Sequence, residues 1–183
     1  VTLTVGSCFA GIGGIDLGLD AVGMDIRWQI EKDEYCRSVL AKRFPGVPCY
    51  GDIEEVDVDE LEKVDVVAGG FPCTDLSVAG RREGIGGKGS GLWVSMLRVI
   101  RAVKPEWVVV ENVPGLLSAV DVRGERGGAM GTVLRDLAES GFDAWWDRIS
   151  ARSLGALHRR ERIFLVAKSN GSPVKADYVA DAH

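Results

Sequence analysis

The sequence predicts an α/β fold built on a mainly parallel sheet with helices on both faces. Three observations carry this. Short β-branched runs alternate along the chain with segments of helical period. Two of these runs, VDVVAG (64–69) and WVVVE (107–111), are apolar almost throughout, as strands covered on both faces are. A glycine-rich turn, FAGIGG (9–14), separates the first strand from the first helix, where such folds place a ligand.

In chain order, TLTVGS (2–7) reads as the first strand, and a helix is expected over about 14–22. Residues 25–31 (DIRWQIE) alternate like a second strand. Asp33 then caps a helix over 34–43 that stops before Pro45. A short strand near 48–50 leads into Gly51-Asp52-Ile53. After the strand 64–69 comes a long loop, 70–90, of a length that compact domains keep for function. A helix over 91–103 ends at Lys104-Pro105, and the strand 107–111 follows. A helix over 129–140 and strands near 142–150 and 161–167 complete the set.

The 183 residues suit one domain, here 1–167. Residues 168–183 lose periodicity and read as a tail or the truncated start of a further region. No apolar run is long enough to span a membrane, and no basic flank or cleavage site of a signal peptide stands at the start. The four cysteines, Cys8, Cys36, Cys49 and Cys73, form no CxxC pair, and there are two histidines. That pattern argues against a metal site or a disulfide framework and for a reducing cytoplasm. The net charge of −5 opposes nonspecific nucleic-acid binding, but basic residues gather at Arg81, Arg82 and Lys88 and again at Arg159, Arg160 and Arg162.

Candidate functional residues fall at strand ends. Gly11 and Gly13 allow a ligand close to the backbone, and Glu31, at the end of the second strand, is placed to accept from ribose hydroxyls. Asp16 stands where the dinucleotide fingerprint has its third glycine, which tilts the turn away from a nicotinamide cofactor. Asp52 has two readings, an ordinary loop residue or an acceptor for an adenine amino group with Ile53 over the ring face. Cys73 follows Pro72 in a polar, glycine-rich loop near arginines, where a thiolate is favoured. Glu111 and Asn112 end the next strand. Arg160 and Arg162 alternate on the last strand and so face one cleft.

The ordered series FAGIGG, strand-ending Glu31, GDI, GGFPCTDLS, ENV and RRERIF, over residues 3–167, resembles the DNA cytosine-5 methyltransferases. The resemblance implies a Rossmann-like fold with a mostly parallel seven-stranded sheet, S-adenosylmethionine as cofactor and DNA as substrate. It assigns Phe9, Ala10, Gly11, Gly13, Glu31, Asp52, Ile53, Pro72 and Leu92 to the cofactor. Cys73 is then the nucleophile, Glu111 contacts the cytosine ring nitrogen and amino group, and Arg160 and Arg162 line the base. Ser77 and Asn112 fall on the substrate side. Thr74 stands where the family usually has Gln, a residue associated with base extrusion. The family's recognition region and two further motifs are not seen, which implies a missing C-terminal part or a separate recognition subunit. The alternatives of the same fold are a catalytically silent remnant and a tRNA cytosine-5 methyltransferase.

Overall fold

The computed structural model describes residues 2–72, 91–119 and 128–171. Seven strands form one sheet in the order β3-β2-β1-β4-β5-β7-β6. They are β1 (Thr4–Cys8), β2 (Asp25–Ile30), β3 (Cys49–Tyr50), β4 (Val66–Gly69), β5 (Trp107–Asn112), β6 (Phe142–Ser150) and β7 (Glu161–Ser169). β3, β2, β1, β4 and β5 pair in parallel, whereas β7 runs antiparallel to both β5 and β6. The expected mainly parallel sheet is therefore present, with an antiparallel hairpin at one edge. β7 also runs two residues past 167, because Lys168 and Ser169 still pair with Asp143 and Phe142.

Four helices are described: α1 (Gly14–Ala21), α2 (Glu34–Arg43), α3 (Leu92–Val103) and α4 (Gly128–Glu139). Their starts and stops follow from local chemistry. The Asp33 side chain accepts from the Cys36 N–H at 2.8 Å, the expected cap of α2. α3 stops where Lys104 turns left-handed, just before Pro105.

The two faces of the sheet carry separate cores. Val66 and Ala68 pack with Leu40 of α2 and Phe44 just after it, while Val67 faces the core that holds Met96 and Val99 of α3 and Val133 of α4. Successive β4 residues thus bury on opposite faces, which is why this run lacks a polar alternation. Trp28 fits against β1 only because Gly6 has no side chain; a Cβ there would lie 1.9 Å from the indole ring.

Strand order reverses between β1 and β4, so a crevice opens beyond their carboxyl ends. β7 enters at this same rim, with Phe164 opposite Glu111 and Ile163 opposite Asn112. Every described candidate residue sits along this edge or in the turns that leave it.

Candidate active site

Two hollows with Phe9 in common line the crevice. The smaller, about 110 Å³, is lined by Phe9, Glu31, Lys32, Asp52, Ile53 and Leu92 among others. The larger, about 720 Å³, is bordered by Phe9, Ala10 and Gly11 on one side and by Gly70, Glu111, Arg160 and Arg162 on the other. Phe9 belongs to both.

The chain leaves β1 through a run of left-handed residues: Phe9 at φ 54°, Gly11 at 55° and Gly13 at 85°. For Phe9 this conformation is costly and is held by its surroundings. Glu31 is one restraint on the turn, beside the Ala10 N–H bond to the Ile30 carbonyl. One Glu31 oxygen accepts from the Gly11 N–H at 2.7 Å and the other from the Asp33 N–H at 2.8 Å. A single carboxylate thus ties the glycine turn to the start of α2 while lining the small hollow.

Asp52 pairs with the Lys32 ammonium and accepts from the Glu54 N–H at 3.1 Å. The hydrogen bond from Lys32 is the main cause that holds the Asp52 carboxyl below its ordinary range. Ile53 is buried beside it. The small hollow therefore offers two hydrogen-bonded carboxylates on its rim and an apolar wall of Ile53, Ile30 and Leu92.

On the opposite bank, Arg162 Nε lies 2.7 Å from Glu111 Oε1, an ion pair with both side chains only partly exposed. Gly70 makes room for it: a Cβ there would stand 2.9 Å from Glu111 Oε2. Arg160 lines the cleft from a left-handed backbone, φ 24°.

Asn112 turns inward and is 3% exposed. Its Nδ2 donates to the Phe71 carbonyl at 2.9 Å, and its Oδ1 accepts from the Val113 N–H at 2.8 Å. In this geometry it serves the backbone that leads to Pro72 rather than facing the cleft. Phe71 packs on Trp93 at 5.2 Å, and the Trp93 indole N–H donates to Asp136 at 2.9 Å. Cys73, Thr74 and Ser77 lie outside the described residues, as do Arg81, Arg82 and Lys88. Pro72, exposed at the end of the described segment, leads directly to Cys73.

One element of the site escaped sequence reading. Asp16, read only as a replaced glycine, is fully buried with Ser7 and Gln29, which donate to it at 3.1 and 2.8 Å. Burial pushes its carboxyl above the ordinary range, against the opposing effect of those hydrogen bonds. The available signal was three polar residues set among apolar neighbours on β1, α1 and β2. Cys8 is likewise buried, and its thiol is pushed well up by desolvation, as befits a packing residue. Among the described residues no cluster of His, Cys, Asp or Glu is arranged to hold a metal, and no helix is long and apolar enough to cross a membrane.

The description "C-5 cytosine-specific DNA methylase" matches residues 3–182. The chain belongs to that family. Among curated relatives, the type II methyltransferase M2.BsuMI of Bacillus subtilis is 41% identical over 169 residues, covering 90% of this chain and 42% of that protein. The type II methyltransferase M.Bsp6I of a Bacillus species is 33% identical, covering 92% and 53%. This methylase-family chain therefore spans about half the length of the curated relatives it matches. Its fold is shared with a DNA modification methyltransferase encoded within an E. coli prophage, at a TM-score of 0.73 and 21% identity over 92% of this chain and 47% of that one. It is also shared with the S. pombe Dnmt2 methyltransferase, at a TM-score of 0.70 and 19% identity over 99% and 57%.

Proposed function

We propose that this chain is the cofactor-binding and catalytic part of an enzyme that methylates C5 of cytosine in DNA, with Cys73 as nucleophile. The observation that carries the reading is the Glu111–Arg162 pair, set beside Gly70 at the end of the strand that leads to Cys73. Glu111 and the segment that leads to Cys73 thus share one rim.

The residues present fit S-adenosylmethionine. The small hollow has the apolar walls and two carboxylates that an adenosine requires, and it joins the bare backbone of the glycine turn at Phe9. Glu31 would hold the ribose, Asp52 and Ile53 the adenine, and Phe9 through Gly11 the methionine end. When bound, this cofactor supplies an electrophilic methyl group.

Cytosine C5 is too weak a nucleophile to take that methyl unaided. In the proposed reaction the Cys73 thiolate adds to C6 while Glu111, having taken up a proton from solvent on the oxygen that Arg162 does not hold, delivers it to N3, which makes C5 enamine-like. Arg162, bonded to the Glu111 carboxylate, fixes its direction. After methylation N3 returns its proton to the Glu111 carboxylate, a base removes the C5 proton, and the Cys73–C6 bond breaks by elimination, releasing the thiolate. The base must leave the helix for this, since C5 and C6 are inaccessible to a thiol within the stack.

The α1 side of β5 and β7 supports the view that further protein completes the site. Val109, Phe164 and Val166 are only partly covered there, while Val110, Leu165 and Ala167 on the other side are buried. Sequence readout is assigned to that further protein or to a separate subunit. Mass-spectrometric detection of 5-methylcytosine in duplex DNA, with tRNA as the competing acceptor, tests the reading in the complete protein. Methylation confined to tRNA would replace DNA as the substrate.

A further inference from the structure

The β6–β7 hairpin closes through a short turn, 151–160, that borders the larger hollow through Ala151, Leu154 and Arg160. This turn carries Arg152, His158, Arg159 and Arg160, all exposed, and no acidic residue. Elsewhere Arg27 pairs with Asp25 and Glu62, Arg148 with Glu161, and Arg162 with Glu111, while Arg43, Arg98 and Arg101 donate to carbonyl or hydroxyl oxygens. Arg152, Arg159 and Arg160 have no carboxylate partner among the described residues. In a chain of net charge −5, this is a local concentration of uncompensated positive charge at the mouth of the cleft.

The backbone of the turn is fixed. The Ser150 hydroxyl donates to the Arg159 carbonyl at 2.8 Å and accepts from the Arg152 N–H at 3.2 Å. The Ala151 N–H donates to the Arg159 carbonyl, and the Ala156 N–H to that of Ala151. One serine thus holds the bases of Arg152 and Arg159 close together, with both side chains free to reach outward. Forked guanidinium donors on a rigid base are suited to phosphate oxygens.

We infer that the β6–β7 turn is a phosphate-backbone contact surface, with Arg152 and Arg159 gripping the DNA strand beside the cleft. The inference rests on the proposed DNA substrate and adds two residues with no part in the chemistry. Such contacts position the duplex without reading its sequence, and they make binding depend on salt.

The test is a salt titration of duplex binding by the complete protein, comparing wild type, the Arg152→Ala/Arg159→Ala double variant and the Arg152→Lys/Arg159→Lys double variant. Each phosphate contact contributes about −0.9 to the slope of log affinity against log salt. The alanine variant should lose about 1.8 of that slope through its two contacts. The loss should be equal on target and unrelated duplexes, with the lysine variant close to wild type and cofactor affinity unmoved in all three. A wild-type slope in the alanine variant overturns the inference, as does a larger change on tRNA than on duplex DNA. The substrate reading is checked separately: failure of the wild type to bind duplex DNA would sink that reading, whatever the variants do. Both arginines are exposed, so thermal melting should be unchanged.

Discussion

Replacing Gly70 by alanine would set a methyl group 2.9 Å from Glu111 Oε2 and 3.4 Å from the Glu111 carbonyl oxygen. The first distance falls about half an ångström short of ordinary contact, so the carboxylate must give way. It can do so, because it is the free end of a flexible, partly exposed side chain, and the cost in folding stability should stay near the lower end of overpacking penalties, about 1 kcal/mol. Function is less forgiving. A general acid must stay within about 2.6–3.2 Å of the atom it protonates, and misplacement by about 1 Å can cost roughly 100-fold. A shift of half that size, which also strains the 2.7 Å contact to Arg162, should slow the chemical step about ten-fold or more. Single-turnover methyl transfer by rapid quench, at saturating cofactor, measures it, and calorimetric melting supplies the stability. An unchanged rate in Gly70→Ala would refute the placement of Glu111 as the proton donor. A large fall in melting temperature would show that the gap beside Gly70 serves packing.

Other perturbations follow from the same geometry. Glu31→Ala and Asp52→Ala should each weaken S-adenosylmethionine binding about ten-fold in calorimetric titration, the worth of a charge-assisted hydrogen bond. Glu31→Ala should lower the melting temperature more than Asp52→Ala, because it releases two backbone N–H groups, those of Gly11 and Asp33, against one for Asp52. Asp136→Leu should cost about 1–3 kcal/mol in urea unfolding by leaving the Trp93 N–H without a partner, whereas Asp136→Asn keeps an acceptor and should cost less. Asp16 carries a pH signature. Its folded carboxyl is raised by burial, so the unfolded chain releases this proton first as pH rises above the ordinary value of 3.8, and its contribution to stability falls through that window. Asp16→Asn keeps partners for Ser7 and Gln29 but removes that fall. Its stability relative to wild type should be greater at neutral pH than near pH 4, and equal differences at both would contradict the buried-charge account.

Much of this was legible in the residues because each feature is local. The Asp33 cap, the stop at Lys104-Pro105 and the doubly buried run at β4 depend on neighbours within a few positions. Glu31, Asp52 and Glu111 were readable as site residues because each follows or ends a strand at the carboxyl edge. What stayed hidden depends on pairing. The alternation of a strand is the same whichever way it runs, so β7 could be located but its antiparallel direction could not. The ten-residue turn 151–160, too short for a parallel crossover, was the overlooked clue. The Glu111–Arg162 contact needs that register. The family resemblance puts Asn112 on the substrate side, yet strand alternation points it into the interior, where its amide donates to the Phe71 carbonyl. Asp136 and Trp93 meet across α3 and α4, and neither residue alone marks the bond.

The measurement that tests the central claim most directly is covalent trapping. Duplex DNA carrying 5-fluorocytosine at the target position blocks the final elimination, because the fluorine cannot leave as the proton does. In the presence of S-adenosylmethionine the complete wild-type protein should form a denaturation-resistant adduct, and peptide mapping should place the linkage on Cys73. Cys73→Ala should form none while keeping its affinity for the cofactor. An adduct in Cys73→Ala, or a linkage at Cys8, Cys36 or Cys49, would contradict the account.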